Sequence, residues 1–97
     1  MALTGAQVRA LRSKAHHLDP IVSVGKADIT DAVISQADTA LENHELIKCG
    51  VQNGSTLSTR EAANMLAAAV KAEVVQVIGH KFSLYRLSHK EDVEHVL

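Results

Sequence analysis

Aromatic side chains are nearly missing from this chain: Phe82 and Tyr85 are the only two in 97 residues, and there is no tryptophan. So few rings argue against the aromatic platforms on which many proteins stack single-stranded bases. A core must instead be built from Val, Ile, Leu and Ala, which favours helices lying close on a small sheet. Cysteine is as scarce. With Cys49 alone, an internal disulfide and any zinc site made from cysteine pairs are excluded, which suits a reducing cytosol. No apolar run approaches the ~20 residues that cross a bilayer, and the first residues lack a charged segment leading into an apolar one. The expectation is a soluble, cytoplasmic, monomeric protein with no membrane contact.

What is present is enough for one domain. Of the 97 residues, 46% are hydrophobic, so a core can form without a metal or a disulfide. The formal net charge of −1 conceals a polarised distribution. Arg9, Arg12, Lys14 and Lys26 face only Asp19 in the first 27 residues, whereas the stretch from Asp28 to Glu45 carries five acids and no Lys or Arg. The chain turns basic again with Lys71, Lys81, Arg86 and Lys90, and then acidic with Glu91, Asp92 and Glu94. A basic first quarter and a basic last hairpin make one positive face if they meet in space.

The densest stretch is VSVGKADIT, Val22 to Thr30. A β-branched run stops at Gly25, passes through Lys26 and reopens as a helix after Asp28, an arrangement whose free backbone amides would accept phosphate oxygens beside a helix dipole. A nucleotide-binding P-loop is rejected, because it requires glycine where Pro20 stands and Ser or Thr where Ala27 stands.

Along the chain, Thr4 and Gln7 form a capping box ahead of a helix from about Gly5 to Lys14, with Arg9, Arg12 and His16 on one stripe. Leu18-Asp19-Pro20 ends it, and Ile21 to Val24 reads as an inner strand. Ile29, Val33, Ala37, Ala40 and Leu41 line a second helix whose outer side carries Asp31, Asp38 and Glu42. Glu45 to Val51 reads as a strand parallel to the first. Ser58 and Glu61 form a second capping box for a third helix, and Val74–Ile78 and Phe82–Leu87 flank a tight turn at Gly79-His80. The fold class expected is α/β: a single two-layer domain in the order α-β-α-β-α-β-β, with a four-stranded mixed sheet whose last pair is antiparallel. Residues 88–97 are read as a charged tail, in a short helix or none.

Catalytic chemistry finds little support. The six histidines do not offer an i, i+4 pair with a third ligand nearby, Cys49 sits in an apolar alternation, and no glycine-flanked serine or close carboxylate pair occurs. The expectation is a protein that is not an enzyme and holds neither a metal nor a cofactor. His16 and His80 are read as surface groups that add positive charge near phosphates when protonated.

VGKADIT, then ALENHELIKC, then VQVIGHKFSLYR together resemble the CRM domain, the RNA-binding module of chloroplast splicing factors and of the bacterial YhbY family. The resemblance spans about Leu3 to Leu87. It implies an RNA-binding protein, and for a stand-alone chain of this length one that associates with precursors of the large ribosomal subunit as an assembly factor, with ribosomal RNA and ribosomal proteins as partners. The family's glycine-rich clamp loop falls on Gly25, Lys26, Ala27 and Asp28, with Asp28 where the family usually has a second glycine. Asp28 is expected to cap the second helix, competing with phosphate for its amides. Arg9, Arg12, Lys14, Lys81 and Arg86 are then expected to carry a larger share of RNA binding. The competing reading is a protein-interaction adaptor that uses the acidic second helix and the tail.

Overall fold

The computed structural model describes residues 3–97. Both capping boxes are formed. Thr4 Oγ1 accepts from the Gln7 amide at 3.1 Å while Gln7 Oε1 accepts from the Thr4 amide at 3.0 Å, which starts α1 (Gly5–Ala15). Ser58 and Glu61 exchange the same pair of bonds at the start of α3 (Thr59–Val70). The second helix, α2 (Asp31–His44), begins differently from expectation. Its N-cap is Thr30, whose Oγ1 accepts from the Val33 amide at 3.2 Å; Asp28 does not cap it. Ile29 still packs on the core, but from the approach to the helix.

The strands are β1 (Pro20–Val24), β2 (Leu46–Val51), β3 (Glu73–Ile78) and β4 (Lys81–Tyr85), giving the order α-β-α-β-α-β-β. Lateral order in the sheet is β1-β2-β4-β3. β1 and β2 are parallel, joined through α2, while β4 runs antiparallel to both β2 and β3. The chain therefore passes through α3 to the far edge and turns back into the remaining slot. Gly79, at φ +57, makes that turn possible. β1 lies at the edge of the sheet and not inside it as expected, and its first residue is Pro20, a position where a strand tolerates proline.

Strand alternation divides the side chains between the two faces. Val22, Val24, Ile47, Cys49, Val51, Phe82 and Leu84 meet Ala37 and Leu41 of α2 and Ala62, Ala63, Leu66 and Val70 of α3 in the main core. On the other face, Leu46, Val75 and Tyr85 meet Leu11 and Ala15 of α1. The helices thus lie on both faces, and the sandwich has a partial third layer where two were expected. The reason is that Leu46, Val75 and Tyr85 give the second face a small apolar end of its own, and α1 buries only that end.

Residues 88–97 form no helix and are held by two glutamates of the α2–β2 corner. Glu45, fully buried, accepts from the Ser88 amide at 2.6 Å, the Val96 amide at 3.0 Å and, through Oε2, contacts His95 Nδ1 at 2.8 Å. Glu42 holds the His89 amide at 2.9 Å and ring at 2.7 Å.

Candidate nucleic-acid interface

The loop after β1 is a tight turn, closed by the Asp28 amide donating to the Gly25 carbonyl at 2.9 Å. Lys26 and Ala27 form its exposed tip, and no protein group accepts from their amides among the described residues. The turn thus presents two backbone amides and an ammonium group without protein acceptors among the described residues, the kind of groups that anions engage. It does not sit on a helix end, because Ile29 and Thr30 separate it from α2.

Glycine at position 25 is not demanded by the fold. Its φ is not positive, and a Cβ there would meet nothing within 4 Å. Asp28 is the residue in the left-handed region, at φ 60. That conformation is one that glycine adopts freely and Asp tolerates. The Asp28 carboxylate is satisfied by the neighbouring loop: Ser55 Oγ donates to it at 2.5 Å, Thr56 Oγ1 at 2.6 Å and the Thr56 amide at 2.9 Å. The Ser55 and Thr56 bonds hold its pKa below the ordinary 3.8. Asp28 therefore fastens the turn to the β2–α3 loop. Gly54 of that loop lies so close that a Cβ on it would come within 3.3 Å of Lys26 Cβ.

From Lys26 the surface continues across the uncovered end of the second sheet face. Beyond the end that α1 covers, two rows run across the strands: Lys48, Ser83 and Gln76, then Gly50, Lys81 and Ile78. Gly50 leaves room for the Lys81 stem, whose Nζ and Cδ would stand 3.6 and 3.7 Å from a Cβ there. His16, at the end of α1, overhangs this area, and His80 stands exposed at the hairpin turn. Arg12, one turn before His16, donates from Nε to the Val75 carbonyl at 3.0 Å, fixing the helix to the β3 edge. Arg9 follows one turn further along the same stripe.

The structure sets Lys81 with Lys48 and His16 around one hollow and fixes Arg12 to Val75, next to Gln76 of that hollow, whereas Gly25, Lys26, Ala27 and Asp28 make their own turn after β1, against Gly54. Two further expected residues bond to protein groups, although Lys14 also lines a neighbouring hollow together with Lys48. Lys14 donates to the Val96 carbonyl of the tail. Arg86 is turned toward α2, where it pairs with Asp38 at 2.6 Å and Glu42 at 2.9 Å and donates to the Val70 carbonyl at 2.8 Å. The strand parity explains this: position 86 continues the side of Phe82 and Leu84, whereas Lys81 shares the opposite side with Ser83 and Tyr85. Lys48 was not among the expected residues, although its alternation with buried Ile47 and Cys49 placed it on the open face. Arg9, Lys26, Lys48 and Lys81 form no ion pair among the described residues.

Cys49 is a core residue whose thiol pKa is pushed up to about 12 by burial, so it is no thiolate nucleophile at neutral pH. No group of three or more His, Cys, Asp or Glu side chains among the described residues is placed to hold a metal. None of the described helices is long and apolar enough to cross a membrane.

Residues 3–86 match the sequence pattern of the CRS1 / YhbY (CRM) domain. The chain belongs to that family. This CRM domain is 44% identical over 86 residues to the Bacillus subtilis protein named Probable RNA-binding protein YqeI, which covers 89% of this chain and 90% of that one. It is 35% identical over 92 residues to a Haemophilus influenzae protein named RNA-binding protein, covering 95% and 93% of the two chains. The solution structure of a Staphylococcus aureus protein superposes with a TM-score of 0.78 at 44% identity, over 96% of this chain and 98% of the other.

Proposed function

We propose that this CRM domain binds RNA through the Gly25–Asp28 turn and the adjoining basic sheet end, and acts on precursors of the large ribosomal subunit. The observation that carries the binding surface is the sorting of cations. Lys48 and Lys81 line one hollow of the open face, at the sheet end where the Lys26 turn leaves β1, and none of the three is in an ion pair among the described residues, while Arg86 is neutralised on the opposite side. A net charge of −1 is compatible with this because Asp38, Glu42 and Glu45 are turned to Arg86 and the tail. Gly25 adds a second support: with neither packing nor φ requiring glycine, its value is the close approach it allows to a backbone phosphate.

RNA as the partner is supported by the names of the relatives, and the ribosomal precursor by the resemblance to single-domain YhbY-like proteins. Lys26, Lys81, Lys48, Arg12 and Arg9 supply phosphate contacts, Gly25 and Ala27 supply close backbone, and Asp28 shapes the turn from behind. The role is one of binding, not catalysis. The adaptor reading loses ground because Arg86 ties up Asp38 and Glu42, two of the three acids it would use.

Crosslinking the protein to RNA in cell extract and sequencing the attached RNA tests the proposal. Large-subunit ribosomal RNA is expected to be enriched with the wild type and depleted with Lys26→Ala and Lys81→Glu. Enrichment of unrelated RNA would remove the ribosomal assignment, and an equal yield from the variants would remove the surface.

A further inference from the structure

The open end of the second sheet face is not a flat basic surface. Ser83, only 1% exposed, sits at the middle of the row Lys48–Ser83–Gln76, and Gly50 ends the next row, Gly50–Lys81–Ile78. Small residues near the centre with long side chains around them make a hollow. Its volume is about 170 Å³, and His16, Lys48, Gln76, Ile78, Lys81 and Ser83 line it. That equals roughly six water-sized volumes.

The lining is mixed in a specific way. Ile78, at 59% exposure, is the most exposed large apolar side chain of the described residues, yet it stands among cations. The Gln76 side-chain amide makes no hydrogen bond among the described residues, and one amide offers both a donor and an acceptor. The exposed His16 ring stands nearly perpendicular to the His17 ring, with centroids 5.8 Å apart. Lys48 and Lys81 both line the hollow. A flat ring with polar edges fits an apolar side chain, an exposed imidazole and an unpaired amide; the phosphates on either side of it fit the two ammonium groups.

We propose that this hollow receives one unpaired nucleobase of single-stranded RNA, seated against Ile78 and His16, with its edge read by Gln76 and its neighbouring phosphates held by Lys48 and Lys81. The inference rests on the RNA-binding reading and sharpens it: the turn at Lys26 supplies phosphate contact without regard to sequence, and the hollow supplies selection for strands whose bases are exposed. A duplex keeps its bases stacked and cannot fill it.

The test is a binding titration of the full chain with three probes of one sequence: a single strand, the same strand with its central bases removed, and the duplex. The wild type is expected to bind the intact single strand about tenfold tighter than the other two, the range of one well-seated base. Gln76→Ala and His16→Ala are expected to lose this preference while still binding all three probes, and Lys26→Ala to weaken all three alike. The side chains of His16 and Gln76 lie at the surface, so the variants keep the fold, which a thermal melt checks. Equal binding of the intact and base-free strands by the wild type would overturn the inference and leave the RNA reading standing; so would variants that keep the preference. Failure of the wild type to bind any probe would overturn the RNA reading itself.

Discussion

At the scale of single residues, Asp28 decides how the turn is held. Its left-handed backbone costs something that glycine would not, and its carboxylate returns three hydrogen bonds to Ser55 and Thr56. Asp28→Ala should therefore lower the melting temperature more than Asp28→Asn, since Asn tolerates φ > 0 and keeps one acceptor. The carboxyl is depressed below its ordinary 3.8, so its contribution is present above that pH and is lost as pH falls through the folded value. The stability gap between wild type and Asp28→Asn is accordingly expected at neutral pH and should narrow below pH 3.8. The sequence marked this turn through Gly25 and Lys26 but misassigned Asp28, because Asp and Thr are both N-cap formers and Thr30 stands two residues on. The partners of Asp28 lie more than 25 positions away, where no local pattern reaches.

At the scale of elements, local signals were legible and long-range ones were not. The two capping boxes announced α1 and α3 from four residues each, alternation announced β2, and the Gly79-His80 turn announced β3 and β4. Arg86 and the tail were opaque because both are governed by side chains of α2 and the corner after it. Parity along β4 did carry the information that Lys81 and Arg86 fall on opposite sides. The tail is an acid-sensitive element. Contacts from the His89 ring and amide, with help from Ser88 and Arg86, hold the Glu42 pKa down to about 2. Burial pushes the Glu45 carboxyl up, but the Ser88 and Val96 amides and His95 outweigh it and leave it lowered. Depressed carboxylates stabilise above their unfolded value, here 4.5, and the tail should loosen as pH falls from there toward 2. Amide exchange at Ser88 and Val96 between neutral and acid pH checks this, with protection expected at pH 7 and lost first in the tail. The core elements answer to packing instead. Leu41→Ala, at a fully buried position of α2, should cost about 2–5 kcal/mol in urea unfolding.

At the scale of the whole molecule, the fold separates charge. α1 covers one end of a sheet face and leaves the other end open, and that open end carries Lys48 and Lys81, neither in an ion pair among the described residues. The sequence showed a polarised chain and expected its first quarter and last hairpin to meet; they meet where Arg12 bonds to Val75 and where His16 lines one hollow with Lys81, with Lys48 added from the sheet and Arg86 withdrawn. A surface of this kind binds RNA by displacing counterions, so affinity must fall with salt. The measurement that bears most directly on this is the affinity for a single-stranded RNA titrated from about 50 to about 200 mM salt, for wild type and for the double variant Lys26→Ala, Lys81→Ala. With about four phosphate contacts, log affinity should fall against log salt with a slope of about −3, and the double variant should bring that slope closer to zero by about 1 to 1.5. An affinity that does not change over this range, or a slope the double variant leaves untouched, would contradict the assignment of this surface to RNA.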